Sequence, residues 1–216
     1  MPMRPRTREQ RFEGRIAGFG STSGTRFVVG MWQHSPFGRF VDVMIEQPGG
    51  HRTLLAPSDA VAEYVSTTYT FDQTTVLDVS FRRIDGGLRI DARAGTESTL
   101  SLSLAVGTLT PLGRLLRAIP PPLATAPAWL TLIDPAARVL VPGARTSGSA
   151  GAGRREYYGV RTIRALTAIS GHYDGSDVGA LARLDPPVTF GFGSAPAAPS
   201  LVDLTTVIRQ QPEARE

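Results

Sequence analysis

The sequence has no lysine, no cysteine and no asparagine, and each absence removes a class of chemistry. Without lysine there is no side-chain amine for a Schiff base and no ammonium for a phosphate-binding P-loop. Without cysteine there is no thiolate nucleophile, thiolate metal site or disulfide. Without asparagine there is no N-linked glycan acceptor. All 23 basic residues are therefore arginine. A GC-rich genome accounts for the loss of both lysine and asparagine, whose codons are AT-rich; selection for the planar guanidinium fork is the competing explanation.

Long apolar runs are missing too. The uncharged stretch Ala118 to Ile133 is 16 residues and is broken by Pro120, Pro121, Pro122 and Pro127. It is too short and too interrupted to span a bilayer, so no transmembrane segment is expected. No secretory leader is visible, because the basic start runs into Gly-rich alternating sequence, and a cytoplasmic location follows as the expectation. Excess charge is confined to one end: residues 1 to 15 carry five arginines against two glutamates, three of the formal net charge of +4. A nearly neutral remainder argues against a nucleic-acid partner, which would call for a basic face on the folded body.

What is present is period-two alternation. Leu100, Leu102, Leu104 and Val106 oppose Thr99, Ser101, Ser103 and Ala105, and Leu88, Ile90 and Ala92 oppose Arg89, Asp91 and Arg93. Turns at Asp85-Gly86-Gly87 and Gly95-Thr96 then define three antiparallel strands between Thr75 and Val106. Further strands are expected at Arg11 to Phe19, Gly24 to Gln33, Arg39 to Gln47, His51 to Ala56, Arg138 to Val141, Gly159 to His172, Val188 to Phe192 and Leu201 to Arg209. The fold class is mainly β: an antiparallel barrel or sandwich of about ten strands in a single domain over 11–209, with disordered tails at 1–10 and 210–216.

Helices are few. Ser58 is placed to cap a short turn through Glu63, and Thr110-Pro111 opens a helix with Leu112, Leu115, Leu116 and Ile119 on one face. An apolar helical insert is thus expected at 110–136, its faces buried as a lid over a cavity, as core, or against a partner.

No catalytic motif stands out. Gly18-Phe19-Gly20 to Gly24 precedes a strand, not a helix, and fits a hairpin connection better than a phosphate loop. No Gly-x-Ser-x-Gly occurs. The three histidines, His34, His51 and His172, have no compact ligand spacing, so neither metal nor cofactor is expected. Asp42 and Asp78 fall on apolar faces, where an aspartate needs a partner; structural ion pairs with arginine are the default expectation. Gly148 to Gly153 runs into Arg154-Arg155-Glu156-Tyr157-Tyr158, where a guanidinium could meet the anionic end of a ligand, although adjacent strand residues point to opposite faces.

Gly30-Met31-Trp32 resembles the Gly-x-Trp signature of lipocalin-type barrels, and Arg209 stands near the chain's end where that family has an arginine packed on the tryptophan. The resemblance implies a barrel that holds a small apolar or amphipathic molecule. The rest of the chain resembles proteins of high-GC bacteria, which implies no activity. The candidate ligand-binding residues are Trp32, His34, Arg39, Arg154, Arg155, Glu156 and Tyr157. The leading expectation is ligand binding in a barrel cavity lined by the inner strand faces, capped by the insert, without catalysis. One alternative is a cofactor-independent hydratase, cyclase or isomerase acting on a lipid or isoprenoid, with His34, Glu156 and Tyr157 as proton carriers. Another is a structural module with a filled core, and homo-oligomerisation is left open.

Overall fold

The computed structural model describes residues 8–140, 146–150, 153–191 and 195–210. Four strands open the chain, β1 (Arg8–Ser21), β2 (Arg26–His34), β3 (Phe40–Glu46) and β4 (Arg52–Ala56), each antiparallel to the one before. Helix α1 (Asp59–Thr68) returns the chain so that β5 (Gln73–Val76) lies parallel beside β4. A meander follows, β6 (Asp78–Ile84), β7 (Gly87–Ala94) and β8 (Glu97–Leu109). The helices α2 (Pro111–Arg117), α3 (Pro121–Ala124) and α4 (Pro127–Leu140) make up the insert. Strands β9 (Ser147–Ala150), β10 (Arg154–Tyr173), β11 (Ser176–Asp177), β12 (Leu181–Ala182) and β13 (Ser200–Gln210) complete the described residues.

The main strands form one sheet in the order β5-β4-β3-β2-β1-β13-β10-β8-β7-β6. Its two edge strands, β5 and β6, are consecutive in the chain and joined through buried Leu77. The sheet therefore rolls up until β6 packs on β3 and β4, without a ladder of hydrogen bonds across the seam. A mainly β, mostly antiparallel fold of barrel or sandwich form is what the alternation predicts.

Alternation also explains what fills the roll. Phe27, Val29 and Met31 of β2, Val41, Val43 and Ile45 of β3, and Leu100, Leu102 and Leu104 of β8 point inward into one apolar cluster. Leu102 and Ile90 are fully buried. At roughly 25 cal/mol per Å² of apolar area removed from water, this cluster is the main source of stability. Where β2, β3 and β8 meet, this cluster fills the inner strand faces, so the cavity expected there lies instead on the other face of β2 and β3.

Several local expectations change. The segment expected as a strand at Arg138 to Val141 continues α4 to Leu140, with Val141 outside the described residues. Asp134 explains part of this, since its Oδ1 accepts from the amides of Thr146 at 2.7 Å and Ser147 at 3.1 Å and ties α4 to the start of β9. Residues 188–191 form no strand, because the Thr189 amide donates to the Glu46 carboxylate at 2.6 Å and the Phe190 carbonyl accepts from the Thr70 amide at 2.7 Å. Phe192 lies outside the described residues. Strand β1 begins at Arg8, inside the stretch expected as tail, and residues 1–7 and 211–216 are not described.

The insert packs on β10, with α2 also against β8 and α4 against β9. Thr110 caps α2, its hydroxyl accepting from the Gly113 amide at 3.0 Å, and Gly113 lies so close to the Ile163 backbone that a side chain would not fit. The expected apolar face is only partly covered: Leu115 is 67% exposed and Leu132 is 72% exposed. No described helix is long and apolar enough to cross a membrane.

Candidate active site

A strand buried on one face has a second face to occupy, and here that face carries the cavity. On β2, Val28, Gly30 and Trp32 alternate with the core residues; on β3, Phe40, Asp42 and Met44 do the same. From β10 come Glu156 and Tyr158, and from β13 Thr206 and Ile208. Helix α1 and its exit cover this surface with Tyr64, Val65, Thr68 and Tyr69, and Val188, Phe190 and Gly191 close it from the side. The cavity has a volume of about 90 Å³. An apolar cavity of about 150 Å³ accommodates benzene, so the space suits a molecule of a few heavy atoms and is smaller than the expected lipid or isoprenoid.

The cover is held by a buried ion pair. Arg26 Nη2 meets Glu46 Oε1 at 3.0 Å, and Arg26 Nη1 donates to the carbonyl of Pro186 at 3.0 Å. Glu46 also accepts from the Thr189 amide and hydroxyl. Phe190 then packs on Phe71, with ring centroids 5.5 Å apart and the rings tilted by 35°.

Gly30 faces Asp42 directly across the β2/β3 ladder. A β carbon at position 30 would overlap Asp42 Oδ1 and the Trp32 indole nitrogen. Glycine thus opens the space in which Trp32 Nε1 donates to Asp42 Oδ1 at 3.0 Å. Asp42 is 2% exposed, and burial pushes its carboxyl up to about 7 against the smaller opposing effect of the indole hydrogen bond. A carboxyl in that range can give or take a proton near neutrality.

Glu156 forms a second centre. Its Oε2 accepts from Tyr158 Oη at 2.6 Å and Tyr69 Oη at 3.0 Å, and the two phenols lie 2.9 Å apart. Its Oε1 is buried without a hydrogen-bond partner among the described residues. Burial raises the Glu156 carboxyl; the two phenols and the Arg154 charge pull the other way. Burial and the neighbouring acids hold the Tyr69 phenol well above its ordinary range, so it remains a donor.

Strand parity sorts the residues expected from sequence. Trp32 and Glu156 line the cavity. Arg154 stands behind the wall, 4.3 Å over the Tyr64 ring and donating to Thr68 Oγ1 at 2.5 Å, so it braces α1 rather than meeting the cavity. Arg155 and Tyr157 point to the opposite face, where Tyr157 packs with Leu130 and Val207. His34 is exposed near Glu13, and Arg39 lies over the Phe81 ring at 5.7 Å. The proposed proton carriers His34, Glu156 and Tyr157 do not converge.

Two further expectations are corrected. Asp42 is buried beside an indole, not paired with an arginine, and Asp78 is exposed. Arg209 pairs with Glu9 at 3.0 Å and lies over Tyr157, so the tryptophan–arginine packing implied by the lipocalin resemblance is absent among the described residues. Sequence reasoning passed over Tyr64, Tyr69 and Tyr158 as site residues. For Tyr158 the signal was available: it shares the parity of Glu156 two residues before it.

No protein-family model matches the chain, and comparison with curated proteins finds no match. Among solved structures the chain is similar to an acetoacetate decarboxylase from Legionella pneumophila, at 9% identity and a TM-score of 0.47, covering 97% of this chain and 90% of that one. It is also similar to an acetoacetate decarboxylase-like enzyme from Sphingomonas wittichii, at 8% identity and a TM-score of 0.36, covering 93% and 89%. Likenesses this distant carry no residue or activity over to this chain.

Proposed function

We propose that the protein is a cofactor-independent acid–base enzyme that moves protons on a small uncharged carbonyl compound in the cavity between α1 and the outer face of β1, β2, β3, β10 and β13. The observation that carries this reading is the presence of two buried carboxyls, Asp42 and Glu156, on one apolar cavity, one pushed up to about 7 and the other holding an unpartnered oxygen. Imine chemistry through a lysine side chain is closed to this chain, and oxygen acids are the proton carriers the cavity offers.

The roles follow from the hydrogen bonds. Glu156 has its Oε2 engaged by two phenols, so Oε1 is the lone-pair donor that takes a proton from the carbon next to the carbonyl. Asp42 has Oδ1 fixed by Trp32, so in its neutral form Oδ2 carries the proton given to the carbonyl oxygen. The C–H bond breaks, its electrons form the C=C bond of an enol, and the carbonyl π electrons take the Asp42 proton. Return of the proton from Glu156 to carbon, with release of the O–H proton to Asp42, completes an exchange or isomerisation without net redox change. An apolar surround that keeps an acid neutral is the usual device for such proton donors.

Deuterium exchange into acetone, butanone and cyclopentanone in D₂O, followed by NMR, tests the proposal. Catalysed exchange should fall by about 10²–10⁴ in both Glu156→Gln and Asp42→Asn. It should also decline as pH rises through about 7, where Asp42 loses the proton it donates. Exchange that is equal in the parent and both variants would contradict it. The apolar lining, which includes Phe12, Ile16 and Val28, favours one second reading: retention of a small neutral ligand without turnover. Native mass spectrometry showing a bound small molecule, together with no exchange, is the outcome that reading predicts.

A further inference from the structure

On the sheet face opposite the cavity, a second cleft of about 370 Å³ lies between β1, β10, β13 and the α2–α3 segment. Its volume falls within the usual range for small-molecule sites, about 300–1,000 Å³. We infer that this cleft binds an amphipathic anion, a phosphate or carboxylate joined to a short apolar chain. The inference does not depend on the chemistry proposed for the cavity.

Ion-pair accounting supplies the charge. Arg15, Arg117 and Arg161 border the cleft, as do Glu13 and Asp203. Asp203 is consumed by Arg15 Nε at 2.6 Å and by the Thr162 hydroxyl. Glu13 accepts from Arg11 Nε at 2.7 Å, with His34 Nδ1 3.9 Å from its other oxygen. Arg117 and Arg161 are exposed and have no carboxylate partner among the described residues. Two guanidinium groups are therefore left for an external anion, with the planar donor geometry that suits phosphate or carboxylate.

Strand irregularity points to the same place. In the β10/β13 ladder, Val160 pairs with Leu204 and Thr162 with Asp203, so Arg161 is the extra residue of a bulge. In the β1/β2 ladder, Glu13 pairs with His34 and Gly14 with Trp32, so Gln33 is an extra residue. Both extra residues border this cleft. Bulges re-aim side chains that regular pleating would direct elsewhere, and two of them meeting on one cleft give it polar groups from both flanks. Leu116 and Ile119 supply the apolar part.

Calorimetric titration of the full chain with hexyl phosphate, inorganic phosphate and hexanol tests this. Hexyl phosphate should bind one per chain, at least tenfold tighter than either comparator. The affinity should drop at least tenfold in the Arg117→Gln/Arg161→Gln double variant, whose changes lie on exposed side chains and leave the fold intact by circular dichroism. Equal affinity for hexyl and inorganic phosphate, or an unchanged affinity in the double variant, would overturn the site. So would binding seen only to phosphatidylglycerol vesicles and not to free hexyl phosphate.

Discussion

The two faces of β2 and β3 are built from the same two strands and do opposite things. One face, with Phe27, Val29, Met31, Val41, Val43 and Ile45, is packed solid. The other, with Val28, Gly30, Trp32, Phe40, Asp42 and Met44, leaves a cavity of about 90 Å³ and buries a carboxyl in it. A filled apolar face gains stability from every methylene; a face with a buried acid gives some of that stability up. The difference teaches where the chain tolerates cost, and the second face is the one on which the proposed chemistry rests.

This contrast can be broken by substitution on each side. Leu102→Ala, in the filled interior, should cost about 2–5 kcal/mol at every pH, measured by urea unfolding. Asp42→Asn should act the other way above pH 7. Folded Asp42 holds its proton to about 7, whereas its unfolded value is 3.8. Between those values the native state binds more protons than the unfolded one, so stability falls as pH rises from about 4 to about 7 and is level beyond. The loss is at most about 4 kcal/mol, and Asp42→Asn should recover much of it at pH 8 and flatten the slope. Glu156, raised in the same direction, should leave a residual slope in that variant.

Gly30→Ala sharpens the comparison within one strand. The added methyl collides with Asp42 and Trp32 and should cost about 1–3 kcal/mol, with a change in indole fluorescence as the Trp32–Asp42 bond is displaced. The smallest effect is expected from Tyr158→Phe. Removing the phenol that favours ionised Glu156 should raise that carboxyl further and cost about 1 kcal/mol, with Tyr69 still in place. A pH titration of stability reads both changes.

The filled face was legible in the sequence because alternation is a local signal. Leu100, Leu102 and Leu104 declare their face within five residues, and Thr110-Pro111 declares a helix start within two. The cavity was legible only in fragments. Gly30 and Trp32 share a face by parity, as do Arg154, Glu156 and Tyr158, but nothing local joins the two groups. Asp42 meets Trp32 through hairpin register, and Tyr69 meets Tyr158 across 89 residues once α1 has turned the chain back over the sheet. The insert misled for a related reason: its apolar spacing announces a helix and a buried face, but which surface it covers depends on the course of β10, where Gly113 and Gly159 admit close backbone approach.

The central claim is that Asp42 shares its proton near neutrality because it is buried beside Trp32 on the cavity face. Following the Trp32 indole N–H resonance against pH tests it most directly, with Asp42→Asn as the control that assigns the transition. The account predicts a midpoint near 7 that disappears in the variant. A midpoint near 4, or a transition that survives Asp42→Asn, would contradict it.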